Sequence, residues 1–109
     1  MQIADVFFRD IMAGQLTRLQ TGNGFRFTYS SQYTGPPISL TMPVRNEAYE
    51  FDSFPPFFDG LLPEGFQLEA LLRHKKLDRN DYFGQLLLVG SDTVGAVTVH
   101  GHLPGNNQS

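Results

Sequence analysis

Hydrophobic and polar residues alternate in short stretches over the first part of the chain, up to Pro43. Strand composition or clean alternation is found at residues 3–8, 11–20, 25–29 and 38–42. The run Thr21-Gly22-Asn23-Gly24 is typical of a hairpin turn, and Gly14 is a candidate for a β-bulge. The pattern therefore predicts an antiparallel meander of three or four strands.

The second part of the chain changes to helical spacing. The expected elements are a connecting loop over 45–53, helices over 57–62, 63–76 and 81–89, and a final strand over 94–99. Pro63 suits a helix start, Asn80 or Asp78 is the expected cap of the third helix, and Gly90 is its expected end. This order predicts an α+β fold, in which a small, largely antiparallel sheet is covered on one face by two or three helices. We expect one domain over residues 1–101 and a flexible polar tail over 102–109.

The charge of the chain is low and unevenly distributed. The net charge is −3 and the pI is about 5.4, which argues against direct nucleic-acid binding. Six acids and no Lys or Arg lie between Glu47 and Glu69, and four basic residues follow between Arg73 and Arg79. This acidic stretch is either a solvated surface or a face for a basic partner. Without a cysteine, a signal peptide or a long apolar run, the chain is expected to be cytoplasmic.

The residue types that carry catalysis form no recognisable set. There is no cysteine nucleophile and no Gly-x-Ser-x-Gly elbow. His100 and His102 would share one face of the last strand, so a small enzyme using them as a metal pair is one alternative. Without a fixed carboxylate beside them, they are more typical of surface residues. We therefore expect no enzymatic activity, no cofactor and no metal.

Phe66 has an unusual position in the predicted second helix. On a helical wheel at about 100° per residue, Leu68, Leu71 and Leu72 form the apolar stripe, and Phe66 falls on the opposite side. Phe66 is then either an exposed anchor for a partner, since aromatic residues are frequent binding hot spots, or part of an irregular first turn that folds back onto the core. Its helical neighbours are Glu69, Ala70 and Arg73.

Two ordered motifs carry a family resemblance. The run Phe57-Phe58-Asp59-Gly60-Leu61-Leu62-Pro63-Glu64 and the later run Gly90-Ser91-Asp92-Thr93-Val94-Gly95-Ala96-Val97 resemble the N-terminal subdomain of HipA-type serine/threonine kinases. The early Gly14-Gln15-Leu16 and Ser39-Leu40-Thr41-Met42-Pro43 are similar to it as well, so the resemblance covers about residues 3–100. The catalytic and ATP-binding elements of such kinases lie outside this subdomain, and none is carried over.

The resemblance implies a binding function. A free-standing copy of the subdomain is similar to the HipS antitoxins of tripartite HipBST systems, in which HipT is the kinase toxin and HipB binds DNA. It implies a HipT-like partner, with a HipB-like protein in a ternary complex. The partner-binding residues expected around the predicted turn are Glu64, Gly65, Phe66, Gln67, Glu69 and Arg73. The alternatives are a detached structural subdomain of a HipA-type kinase and a DNA-binding antitoxin, the latter opposed by the acidic composition.

Overall fold

The structure, a computed structural model, describes residues 2–20, 22–63, 65–75, 77–93 and 95–102. The strands are β1 (Gln2–Phe8), β2 (Ile11–Arg18), β3 (Phe25–Tyr29), β4 (Tyr49–Phe51) and β5 (Val97–Gly101). The helices are α1 (Pro56–Asp59), α2 (Gly65–Lys75) and α3 (Tyr82–Val89), and a 3-10 turn spans Gly90–Asp92. The predicted α+β class is confirmed. Within the described ranges, each helix is too short or too polar to span a bilayer.

All neighbouring strands of the sheet are antiparallel, in the order β4-β3-β2-β1-β5. The meander of β1, β2 and β3 is as predicted, and the last strand returns to pair with the first, with Val99 opposite Val6. The pairing of β1 with β2 shifts between Val6 and Phe7, beside Gly14, which confirms the expected bulge. A side chain at Gly14 would collide with the Thr28 carbonyl of β3, so glycine allows the strands to approach there.

The core lies on one face of the sheet. The buried strand residues are Ala4, Val6, Ala13, Leu16, Phe25, Phe27, Tyr29, Val97 and Val99, and Phe58 of α1 with Phe83 and Leu86 of α3 packs against them. Phe27, Phe58 and Phe83 are almost fully buried, and each such side chain contributes about 2–3 kcal/mol of transfer free energy. On the opposite face, polar side chains such as Asp5, Gln15 and Thr28 remain partly exposed. The helices therefore cover one face, as predicted.

The predicted strand over residues 38–42 is wrong. This segment is a tight turn in which the Met42 amide donates to the Ser39 carbonyl over 3.1 Å, and its only bridge pairs Ser39 with Met42 within the turn. The Tyr29 hydroxyl donates to the Met42 carbonyl (2.5 Å) and accepts from the Ile38 amide (3.0 Å). One phenol thus satisfies backbone groups that a strand neighbour would otherwise satisfy.

Part of the segment predicted as a connecting loop is a strand instead. In β4, Tyr49 and Phe51 lie opposite Phe27 and Phe25 of β3, so the aromatic side chains share the buried face of the sheet. Glu50, between them, faces the other way and pairs with Arg26 at 3.4 Å. The alternation of aromatic, acidic and aromatic residues follows the two-residue period of a strand, but is only one period long.

Two helix boundaries also differ from the prediction. The first helix ends at Asp59 instead of Leu62, because the chain continues in turns. The cap of α3 is Asp81, whose carboxylate accepts a hydrogen bond from the Gly84 amide at 3.0 Å. Asp78, one of the two expected caps, instead accepts from the Asn80 amide at 2.7 Å. The proposed tail lies mostly outside the described residues, although the His102 amide still donates to the Ile3 carbonyl at 3.0 Å.

Candidate partner-binding surface

The first family motif begins in the core and ends at the surface. Pro56 stands in the first turn of α1, where its missing amide proton costs nothing. Phe58 is fully buried, and the Phe57 ring packs edge-on against it with centroids 5.2 Å apart. The Leu61 amide then donates to the Phe58 carbonyl at 3.0 Å, which turns the chain out of the helix. The motif therefore anchors this segment and directs the following residues to the start of α2.

The second motif packs against the last strand. Gly90 is buried where α3 ends, and a Cβ there would collide with the Val99 carbonyl of β5. The Thr93 hydroxyl donates to the Val97 carbonyl. Gly95 has φ of +111°, a conformation that glycine adopts without strain. The two motifs lie on either side of an open groove of about 370 Å³, lined by Gly60, Leu61, Leu62, Pro63, Gln67, Val89 and Thr93.

Only part of the predicted binding set can be placed in the structure. Glu64 lies outside the described residues. The backbone of Gly65 and Phe66 opens α2, but the side chain of Phe66 lies outside the described part of the chain. Gln67 lines the groove between the motifs, and Glu69 and Arg73 are exposed. Both interpretations of Phe66 therefore stay predictions.

The described residues of α2 follow the predicted division into two faces. Leu72 is buried, and Leu68 and Leu71 are partly buried. Glu69 and Arg73, together with Ala70, are exposed. These three residues stand three, four and seven positions after Phe66, which are the spacings that share one face of an α-helix. The helix therefore has an open polar face on the side where the wheel puts position 66.

An ion pair joins the open face of α2 to the segment before α3. Arg79 Nη2 lies 2.6 Å from Glu69 Oε2, with both side chains about half exposed. Such a surface pair contributes at most about 1 kcal/mol. The carbonyl of Arg79 accepts from the buried amide side chain of Gln85 at 2.9 Å, and a second bond from that amide reaches Asp78 at 3.2 Å. Glu69 is therefore committed to an intramolecular contact in the free chain, while the side chains of Gln67 and Arg73 make no hydrogen bond or ion pair with a described residue.

His100, in β5, and His102, which follows β5, are arranged differently from the pair considered as a metal site. His100 packs edge-on against Phe7 at 5.3 Å. His102 Nδ1 lies 3.1 Å from both carboxylate oxygens of Asp5, which also accepts from Gln15. Across the residues that the structure describes, no three His, Cys, Asp or Glu side chains form a group able to hold a metal ion.

One exposed apolar residue was not singled out from the sequence. Leu40, at the tip of the 38–42 turn, is 99% exposed, whereas Ile38 and Met42 on either side are buried. The sequence feature that indicates a turn here is the proline on each side of the alternating run, because Pro37 and Pro43 restrict it to a short connection.

Comparisons with known proteins agree on one family. The sequence profile of the HipA N-terminal domain matches residues 4–100. An uncharacterized protein of Haemophilus influenzae is 36% identical over 76 residues, which is 70% of this chain and 72% of that protein. A solved structure described as the N-terminal domain of HipA toxin superposes with a TM-score of 0.73 at 27% identity, covering 96% of each chain.

A second solved structure shows how much of a longer protein corresponds to this chain. It is the Shewanella oneidensis MR-1 toxin–antitoxin complex of HipA, HipB and operator DNA, with a TM-score of 0.71 and 25% identity. The match covers 96% of this chain and 25% of that chain, so this chain spans about a quarter of its length. The profile match and the superposition lead to the same conclusion: the chain belongs to the HipA N-terminal domain family.

Proposed function

We propose that this chain is an antitoxin of the HipS type, which binds and neutralises a HipT-like serine/threonine kinase toxin. By its likeness to the HipA N-terminal domain, it would dock beside the kinase lobes, where the corresponding domain of a HipA-type kinase is attached. The segment Glu64–Gln67, which includes the first residues of α2, would then obstruct or restrain the kinase active site, with Phe66 as the anchor. The chain itself has no catalytic role in this proposal, and it acts in the bacterial cytoplasm.

The observation that carries the proposal is the open face of α2. Glu69, Ala70 and Arg73, which share the helical face of position 66, are all exposed, and the described contact on that side is the Arg79–Glu69 surface ion pair. An aromatic residue on such a face gains most when a partner buries it, with about 2 kcal/mol or more lost on truncation. The acidic stretch between Glu47 and Glu69 supports the proposal, since it favours association with a basic kinase surface.

The test is an activity assay of a HipT-like kinase from the same genome, with and without this chain. The proposal predicts complex formation and loss of autophosphorylation with the unaltered chain. Phe66→Ala should restore kinase activity, whereas Ile11→Ala, which trims an exposed apolar residue on β2, should inhibit like the unaltered chain. Full inhibition by Phe66→Ala at unchanged affinity would remove Phe66 from the mechanism.

The second candidate is a detached structural subdomain of a HipA-type kinase, which has no inhibitory role. It is favoured by the match to one quarter of the HipA chain in the complex with HipB and DNA. In that case the chain binds the kinase and leaves its activity unchanged or higher. A HipB-like protein in a ternary complex is compatible with both candidates, and gel filtration of the kinase, this chain and HipB together distinguishes a ternary from a binary assembly.

A further inference from the structure

The turn that carries Leu40 is held rigidly, although its tip is in solvent. The Tyr29 hydroxyl binds the backbone of both Ile38 and Met42, and the Ser39 and Thr41 hydroxyls lie 3.0 Å apart within the turn. Leu40 is 99% exposed. A leucine fixed in this way loses little conformational entropy on binding, because its backbone is already ordered.

An apolar groove lies next to this turn. Its volume is about 330 Å³, and it is lined by Thr41, Met42, Tyr49, Phe51, Pro55, Pro56 and Phe57. The two prolines and the Phe57–Phe58 ring contact give it stiff walls. The volume stands at the lower end of the range of about 300–1,000 Å³ for ligand pockets, which suits one or two apolar side chains of a partner.

Acidic residues lie close in the sequence to the residues that line the groove. Glu47, Asp52 and Asp59 are exposed and stand within two residues of Tyr49, Phe51 and Phe57, and none forms an ion pair with a described residue. They are therefore free to interact with positive charge from outside the chain.

The nearby basic group is already engaged. The Arg45 guanidinium lies 3.7 Å from the centroid of the Tyr49 ring and donates to the carbonyls of Glu47 and Ala48. Glu50, the remaining acid of β4, pairs with Arg26 on the opposite face of the sheet. Among the residues close in sequence to the groove lining, the three acids without an ion pair outnumber Arg45, so their net charge is negative.

We infer that Leu40 and this groove form a docking surface for a basic, apolar segment of a protein partner. Apolar side chains of the segment enter the groove, its Lys or Arg side chains meet Glu47, Asp52 and Asp59, and Leu40 enters a pocket of the partner. This inference rests on the proposed function, in which the partner is the kinase toxin. Docking is then carried by this surface, and inhibition by the turn around Phe66.

The experiment measures the affinity of the full-length chain for the purified HipT-like kinase by biolayer interferometry, together with inhibition of autophosphorylation. Leu40→Asp should raise the Kd by about tenfold or more, and Leu40→Ser should act in the same direction. Neither variant removes a packed contact, so the melting temperature should be unchanged. At saturating concentration, Leu40→Asp should still inhibit fully, whereas Phe66→Ala should bind without inhibiting.

The charge contribution has its own matched pair of variants. Asp52→Asn/Asp59→Asn should weaken binding by about three- to tenfold at low salt and flatten its salt dependence. Asp10→Asn removes a carboxylate on the β1–β2 turn and keeps a residue type suited to its φ of +69°. It should leave the Kd within about twofold.

The outcomes separate this inference from the proposed function. If Leu40→Asp binds as tightly as the Ile11→Asp control, which alters the exposed residue on β2, the docking surface is wrong while the antitoxin role stands. If affinity falls in Leu40→Asp but not in Ile11→Asp, the inference is supported. If the unaltered chain does not bind the kinase, the proposed function fails, and the partner named here fails with it.

Discussion

The Tyr29 hydroxyl is the most informative single group to remove, because one atom connects the sheet to the 38–42 turn. Tyr29→Phe keeps the ring, which stacks on Tyr33 at 5.9 Å and packs edge-on against Phe27 at 4.9 Å. The change removes the bond to the Met42 carbonyl and the bond from the Ile38 amide. Packing is retained, so the measured effect reports the hydroxyl.

The expected loss follows from the burial of the two backbone groups. Ile38 is 6% exposed and Met42 3% exposed, so neither group finds water easily once the phenol oxygen is gone. A buried group left without its partner costs about 1–3 kcal/mol, against about 1 kcal/mol for an ordinary net hydrogen bond. Two such groups give about 2–6 kcal/mol, a substantial part of the about 5–15 kcal/mol typical of a folded domain.

Urea denaturation followed by circular dichroism measures this change as a shift in midpoint at constant slope. Hydrogen exchange of the Ile38 amide should also become faster in the variant. Tyr82→Phe is the matched control, since Tyr82 is 42% exposed and its hydroxyl bonds no described residue; it should cost less than about 0.5 kcal/mol. A Tyr29→Phe effect as small as that of the control would show that the turn does not depend on the phenol.

The remaining predictions concern alkaline pH and three packing or capping positions. Burial raises the pKa of Tyr29 above its usual 10.0, a rise partly offset by the Ile38 amide. As the pH rises, the Tyr29 hydroxyl therefore ionises in the unfolded chain before it ionises in the folded chain. The stability that the protonated hydroxyl contributes is complete below about pH 10 and is lost as the pH rises through the folded pKa. In Tyr29→Phe, the free energy of unfolding should fall less steeply with pH in this range. Phe58→Ala should cost about 3–5 kcal/mol in urea denaturation, because the ring is fully buried. Gly90→Ala should cost about 1–3 kcal/mol through overpacking against β5. Gly60→Ala, where a Cβ would lie 3.3 Å from the Phe57 carbonyl oxygen and 3.7 Å from that of Pro56, should change stability by less than about 1 kcal/mol. Asp81→Ala should lower stability by about 1 kcal/mol through loss of the α3 cap, and an unchanged midpoint would mean that the cap is not needed.

Local periodicity was sufficient for the fold class and for most elements. The clean alternation of residues 25–29 became β3, and the Leu spacing around Leu72 became the inward side of α2. The same rule failed at residues 38–42, because alternation describes which side chains are buried and not whether a neighbouring strand exists. Here Ile38 and Met42 are buried by a turn that a distant tyrosine stabilises.

The candidate site was less predictable than the fold. Sequence spacing identified the open side of α2, which depends on local helix geometry, whereas the motif containing Phe58 was identified by the family resemblance. It did not identify the groove beside Leu40, which is assembled from residues on β4, on α1 and in the 38–42 turn. That groove depends on the pairing of β4 with β3, which is a long-range contact between segments about 20 residues apart.

The position of β5 beside β1 has a consequence for synthesis of the protein. β1 is made first, yet one of its two edges stays unpaired until Val97–Gly101 has left the ribosome. Until then the core also lacks Val97 and Val99, which are almost fully buried in the finished domain. This domain is therefore expected to complete its fold only after β5 has emerged, and until then the open strand edge favours aggregation during translation.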